Sequence, residues 1–116
     1  VDTLGLASLE YAAAHLGVPL VVVMGHSRCG AVEATVKGGE ASGNLSALLS
    51  AIAPSVEAAR GHAGELVEEA ARENVRSAVA ALEARETVLG ALVAAGRLRV
   101  VGAFYDVYWG TVDFFV

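Results

Sequence analysis

The chain contains 116 residues, of which 55% are hydrophobic and 18% charged, and it carries a formal net charge of −5 at pH 7. This length allows one domain, and no apolar run reaches the ~20 residues of a membrane helix, so no membrane partner is expected. The acidic balance, with 8 Lys and Arg residues scattered along the chain, argues against nucleic acid as a partner. The single cysteine excludes an intrachain disulfide, and we predict a cytoplasmic protein.

The first half of the chain predicts a helix, a strand and a second helix. Apolar residues at helical spacing predict a helix over residues 3–16, with Asp2 as its N-cap. An unbroken apolar and β-branched run over residues 20–24 predicts a buried strand. Residues 25–30 then form a predicted loop, which leads into a short helix over residues 31–37.

The middle of the chain predicts three more helices. Asn44 is the predicted N-cap of the first, and Pro54 either breaks this helix or begins the next turn. The longest helix is predicted over residues 65–85. Apolar residues form a stripe on its buried side, and oppositely charged residues pair across single turns on its solvent side. A last helix is predicted over residues 87–95.

Two strands are predicted near the end of the chain. Residues 98–105 are apolar on both faces apart from Arg99, as is typical of an interior strand, and residues 111–115 return antiparallel at the edge. The β-α-β order predicts an α/β fold with three layers. Its sheet is mainly parallel, flanked by helices, and ends in an antiparallel C-terminal edge strand. We expect one domain over residues 1–116.

The predicted loop contains the two residue types that bind metals most readily, His26 and Cys29. An imidazole and a thiolate two residues apart on a strand-to-helix turn can converge on one ion, and the helix N-terminus favours the anionic thiolate. Spacing alone leaves the alternative of a buried, inert cysteine open. Two ligands are also too few, because a structural zinc site needs four and a catalytic site needs three from the protein.

The wider sequence pattern resembles β-class carbonic anhydrases. It consists of LGLASLEYAAAHLGVPL, then GHSRCGAV after the apolar strand, then ENV and VVGAFYDVYWGTV, and it extends from about Val1 to about Phe115. The resemblance implies that His26 and Cys29 are two of three protein ligands of a zinc ion. In that family the third ligand is the cysteine of an upstream Cys-x-Asp-Ser-Arg segment, whose Asp and Arg form the catalytic dyad. No residue present matches that segment, so we expect these groups upstream of Val1 and a domain that is incomplete at its N-terminus.

The resemblance also implies an activity, the zinc-dependent reversible hydration of carbon dioxide to bicarbonate and a proton. In this interpretation His26 and Cys29 hold the metal, while Gly25 and Gly30 let the backbone turn closely around it. A related hydrolase of carbon disulfide or carbonyl sulfide would share the two ligands. A non-catalytic interaction protein is the third possibility, favoured if the native chain begins near Val1.

The resemblance and the composition both predict a homodimer or a higher homo-oligomer. Family members pair as dimers and often assemble further. The apolar content exceeds what a domain of this size comfortably buries, and Tyr108 and Trp109 place two large aromatic side chains in a turn. We therefore expect a self-association surface on this chain.

Overall fold

The computed structural model describes residues 1–84 and 86–116, so the predicted end of the longest helix at Arg85 lies outside the described residues. In chain order the elements are α1 (Thr3–Glu10), a π-helical turn (Tyr11–His15), β1 (Leu20–His26), α2 (Gly30–Lys37), α3 (Asn44–Ala59), α4 (Leu66–Glu83), α5 (Val88–Ala94), β2 (Arg99–Asp106) and β3 (Thr111–Phe114). No helix among the described residues is both long enough and apolar enough to cross a membrane.

The sheet has the order β1-β2-β3. β1 and β2 are parallel, with Val22 opposite Val101, and β2 and β3 are antiparallel, with Ala103 opposite Phe114. This arrangement confirms the α/β class, the parallel pairing and the antiparallel edge strand at the C-terminus. It also shows that the β1-α-β2 crossover contains all the helices from α2 to α5.

The helices pack against one face of the sheet. Val75 and Val79 of α4 lie in one core cluster with Val21 of β1 and Val100 of β2. Successive strand residues point to opposite faces, and on the opposite face of β1 the side chains of Leu20, Val22 and Met24 are 47%, 38% and 51% exposed. The described residues therefore form two of the three predicted layers, and the second helical layer is not among them.

A second core cluster lies beneath the connection from β1 to α2. Its buried members come from α2, α3, α4 and β2: Val32, Ile52, Val56, Ala59, Ala70, Ala71 and Phe104. Cys29 packs against this cluster. The start of α2 is therefore anchored on the core by apolar contacts.

Of the two alternatives predicted for Pro54, the break is wrong, because α3 continues through it to Ala59. Proline lacks the N–H that would bind the carbonyl group of Ser50 four residues earlier. Pro54 and Ser50 are both exposed, so water can bind that carbonyl group. Buried Ser55 and Val56 directly after the proline hold the helix against α4. The predicted N-cap Asn44 is the first helical residue, and Gly43 precedes it as the cap.

The predicted helix over residues 3–16 consists of α1 followed by the π-helical turn. Asp2 caps it as predicted, since its Oδ1 accepts a hydrogen bond of 2.7 Å from the backbone N–H of Gly5. Gly17, at φ 70°, ends the segment in the left-handed region that favours glycine.

Candidate metal centre

His26 and Cys29 occupy the two ends of the connection between β1 and α2. His26 is the last residue of β1, and Cys29 is the N-cap of α2, with φ −70° and ψ 111°. Arg28 lies between them at φ 57°, in the left-handed region that non-glycine residues rarely adopt. The connection is therefore shorter than predicted, and Arg28 is the residue at which the chain reverses.

The two glycines of the motif differ in what surrounds them. Gly25 lies within β1, where a Cβ atom would be 2.9 Å from Cγ2 of Val75 and 3.4 Å from the carbonyl oxygen of Ala71. Glycine is thus required there by the close approach of β1 to α4. At Gly30, a Cβ atom would meet nothing within 4 Å, so space does not require glycine.

The imidazole of His26 is exposed and held in one tautomer. Its Nδ1 lies 3.0 Å from the backbone carbonyl oxygen of Ser27. A carbonyl oxygen can only accept a hydrogen bond, so Nδ1 is the donor here, and in the neutral ring Nε2 then keeps its lone pair. A histidine that donates through one ring nitrogen to a carbonyl group and leaves the other free is typical of a metal ligand.

The thiol of Cys29 completes a donor pair suited to zinc. It is half-buried at the N-terminus of α2, where the helix dipole favours a negative charge. Imidazole nitrogen and thiolate sulfur are both preferred by zinc. Within residues 1–84 and 86–116, no group of three or more His, Cys, Asp or Glu residues could hold a metal ion. The donor types of His26 and Cys29 therefore fit zinc, and further ligands would have to come from outside the described residues.

Two clefts meet at this connection. Ser27 and Arg28 line both of them. The larger, of about 410 Å³, is completed by Asp106, Tyr108 and Trp109. The other, of about 370 Å³, is completed by Glu33, Glu65, Val67 and Glu68. The connection is therefore open to solvent from two sides of different charge.

Tyr108 and Trp109 are each 74% exposed, as expected for two aromatic side chains in a turn. Their rings pack edge to face, with centroids 4.7 Å apart and an interplanar angle of 83°. Together they form one wall of the larger cleft.

Sequence reasoning gave no site role to two polar residues beside the candidate metal ligands, Ser27 and Asp106. The hydroxyl group of Ser27 accepts a hydrogen bond from the backbone N–H of Val107, 80 residues along the chain. No local pattern indicates such a contact. Asp106 begins the turn between β2 and β3, and an Asp followed by a Gly in a short connection is a recognisable turn signal.

Comparison with known proteins agrees with the fold. The sequence profile of the carbonic anhydrase family matches residues 1–112. The carbonic anhydrase of Mycolicibacterium smegmatis is 36% identical over 117 residues, which cover 97% of this chain and 57% of that protein. Carbonic anhydrase 2 of Mycobacterium tuberculosis is 36% identical over 110 residues, covering 91% of this chain and 53% of that protein.

Solved structures give the class within the family. The β-carbonic anhydrase CafA of Aspergillus fumigatus superposes with a TM-score of 0.82 at 30% identity, covering 99% of this chain and 57% of that one. One of two tetrameric β-carbonic anhydrases from Sordaria macrospora superposes with a TM-score of 0.81 at 29% identity, covering 98% of this chain and 60% of that one. The chain belongs to the carbonic anhydrase family, in its β class. It spans a little over half the length of these relatives.

Proposed function

We propose that the protein containing this chain catalyses the zinc-dependent reversible hydration of carbon dioxide to bicarbonate and a proton. The observation that carries the proposal is the bond of 3.0 Å between Nδ1 of His26 and the carbonyl group of Ser27. It leaves Nε2 free for a metal, on the same short connection as Cys29, in a chain of the carbonic anhydrase family. Because the chain spans 57% and 53% of its curated relatives, the activity is proposed for a protein of their length.

His26 and Cys29 are the zinc ligands that this chain provides. Zinc bound there acts as a Lewis acid that lowers the pKa of water toward ~7, so that hydroxide is available to add to carbon dioxide. By resemblance to the family, the third protein ligand and the Asp-Arg dyad belong to sequence N-terminal to Val1. Residues 1–116 are in that case one domain, incomplete at its N-terminus.

The residues of this chain prepare the site for an uncharged substrate and an anionic product. The carbonyl group of Ser27 engages Nδ1 of His26, which directs Nε2 of the ring away from this contact and toward a metal. One cleft at the connection carries Glu33, Glu65 and Glu68. The cleft beside Trp109 carries a single carboxylate, Asp106, whose Oδ1 already accepts two backbone N–H groups. The less acidic cleft therefore repels an anionic product less than the glutamate-lined cleft does.

The decisive experiment measures zinc content and carbon dioxide hydration on the full-length protein, purified without chelator. The wild type is expected to contain about one zinc ion per chain. Cys29→Ser and His26→Gln should lose zinc and activity together, because hydroxyl and amide groups are poor replacements for a thiolate and an imidazole. His62→Gln is the matched control and should keep both. A wild type without zinc, or a fully active Cys29→Ser variant, would show that the site is wrongly assigned.

Assays on carbon disulfide and carbonyl sulfide separate hydration from the related hydrolase activity. The curated relatives compared above are named carbonic anhydrases, so hydration is the activity proposed. An interaction protein without catalysis would fail all three assays. The cytoplasmic location stays a prediction.

The protein forms a homo-oligomer under the same proposal. The helix-free face of β1 exposes Leu20, Val22 and Met24, and Phe114 of β3 is 62% exposed. The relatives from Sordaria macrospora are described as tetrameric. Burial of more than about 2,000 Å² in the interface is expected, in the range of obligate assemblies.

A further inference from the structure

The connection that carries His26 and Cys29 is tied to the opposite strand through Ser27. The backbone N–H of Ser27 donates to the carbonyl group of Tyr105 over 2.9 Å, which extends the pairing of β1 and β2 by one step. The side-chain Oγ of Ser27 accepts a hydrogen bond of 3.0 Å from the backbone N–H of Val107. Its carbonyl group accepts from Nδ1 of His26. One residue therefore contacts both the turn after β2 and a metal-binding imidazole.

The direction of the Val107 N–H is fixed by the hydrogen bonds of the turn that follows β2. Oδ1 of Asp106 accepts hydrogen bonds from the backbone N–H groups of Tyr108, at 2.8 Å, and Trp109, at 3.0 Å. The carbonyl group of Asp106 accepts from the N–H of Gly110 at 2.8 Å, and Gly110 has φ 69°. A side chain bonded to backbone groups two and three residues ahead fixes the local path of the chain. The donor that reaches Ser27 is thus held in place.

We propose that Ser27 is a positioning residue for the metal-binding pair, and that the Asp106 turn is its support. The proposal rests on the zinc site proposed above. With both its N–H and its Oγ held by the β2 end, Ser27 has little freedom to rotate, so its carbonyl group stays directed at Nδ1 of His26. That contact sets the tautomer and ring orientation of His26. The chain then reverses at Arg28, at φ 57°, and reaches the core-anchored Cys29.

The proposal differs from a purely structural role in what it predicts for the metal. The Ser27 hydroxyl touches neither His26 nor Cys29 in the described contacts, and Val107 is exposed. Loss of this one bond should therefore cost little global stability. It should weaken metal binding, because groups that orient a ligand typically change metal affinity by about 10- to 100-fold.

The test compares two isosteric substitutions in the full-length protein, Ser27→Thr and Ser27→Val. Threonine keeps the acceptor oxygen and valine replaces it with a methyl group of similar shape. We expect the zinc dissociation constant, from chelator competition, to rise about 10-fold or more for valine and to stay within about 2-fold of the wild type for threonine. The amide hydrogen of Val107 should exchange about 10-fold faster in the valine variant, without metal, because its acceptor is gone. Ser46→Ala, which removes a hydroxyl group from the first turn of α3, is the control.

Asp106→Ala and Asp106→Asn test whether the turn after β2 holds Ser27 in place. Asparagine keeps the Oδ1 acceptor, so only the alanine variant should weaken zinc binding and speed exchange at Val107. Equal zinc affinity in the threonine and valine variants of Ser27 would overturn the positioning role while leaving the zinc site intact. Equal affinity in both Asp106 variants would remove the turn as the support. A wild type that binds no zinc would overturn the proposed function and this role together.

Discussion

The guanidinium group of Arg72 lies 4.2 Å from the ring centroid of Phe104. Arg72 belongs to α4 and Phe104 to the interior of β2, so the contact joins the longest helix to the sheet. The same guanidinium group lies 5.1 Å from the ring of Phe115 and 3.1 Å from Oδ2 of Asp113. The guanidinium group is attracted to the faces of the two rings, while the aliphatic part of the side chain covers apolar surface. A neutral aliphatic side chain of the same length would lose the attraction to the rings.

We expect Arg72→Ala to lower the free energy of unfolding by about 1–2 kcal/mol, because stacking and the ion pair with Asp113 are lost together. Arg72→Lys should recover only part of this, since an ammonium group does not stack and makes no planar contact. Urea denaturation of the full-length protein measures the change. The control is Arg60→Ala, which breaks an exposed pair with Glu57 and should cost less than about 0.5 kcal/mol. Equal losses at Arg72 and Arg60 would contradict the stacking argument.

Gly25 and Gly30, on either side of the proposed metal-binding connection, should respond differently to alanine. Gly25→Ala places a methyl group 2.9 Å from Cγ2 of buried Val75, and should destabilise the protein by about 1–3 kcal/mol through overpacking. Gly30→Ala meets open space at the first position of α2 and should be neutral or slightly stabilising, because alanine favours helices. Thermal unfolding of both variants checks the prediction. A Gly30→Ala variant that is the less stable of the two would show that the turn itself needs glycine there.

Glu33 titrates below its ordinary value. The side-chain hydrogen bond from Lys37, at 2.6 Å, and then the positive charge of the same group lower the pKa of Glu33 from 4.5. A carboxyl group with a depressed folded-state pKa stabilises the fold above the unfolded-state pKa, and the contribution is lost as the pH falls through the folded-state value. Lys37→Met should therefore raise the pKa of Glu33, and Lys37→Arg should keep it low. Carbon-13 NMR titration of the side chain measures it, and an unchanged pKa in the methionine variant would contradict the pairing.

The connection between β1 and α2 was predictable because its signals are local. A β-branched run, a Gly-His-Ser-Arg-Cys-Gly segment and small helix-forming residues follow one another, and the structure has a strand, a short connection and a helix in that order. Cys29 lies at the predicted start of the helix, whereas His26 belongs to β1 and not to the predicted loop. Pro54 was not predictable in the same way. The local rule predicts a break, whereas the apolar residues buried on either side of it, Ile52 and Val56, keep α3 continuous.

The contact between Ser27 and Val107 lies beyond any sequence pattern, because the two residues are brought together only by the parallel pairing of β1 and β2. The covering of β1 is a second such case. The uninterrupted apolar run of β1 predicts burial on both faces, yet among the seven residues of β1 only Val21 is buried in the described part of the chain. The local sequence indicates that the second face of β1 is packed against another element, and it does not indicate which element that is.

The last prediction concerns that face. We expect the full-length protein to be a dimer or a larger oligomer at micromolar concentration, with Val22 and Met24 inside the interface. Met24→Glu places a charge there and should dissociate the assembly, because an unpaired charge is costly to bury. Its circular dichroism spectrum should stay that of the wild type, since Met24 points away from the α4 side of the sheet. Light scattering measures the mass, and Ala58→Glu, on the exposed side of α3, is the control that adds the same charge elsewhere.

A wild type that is a stable monomer, or a Met24→Glu variant with unchanged mass, would show that a second copy does not cover this face. A monomeric wild type that Met24→Glu unfolds would instead assign the cover to another part of the same chain, and neither result bears on the proposed zinc site at His26 and Cys29.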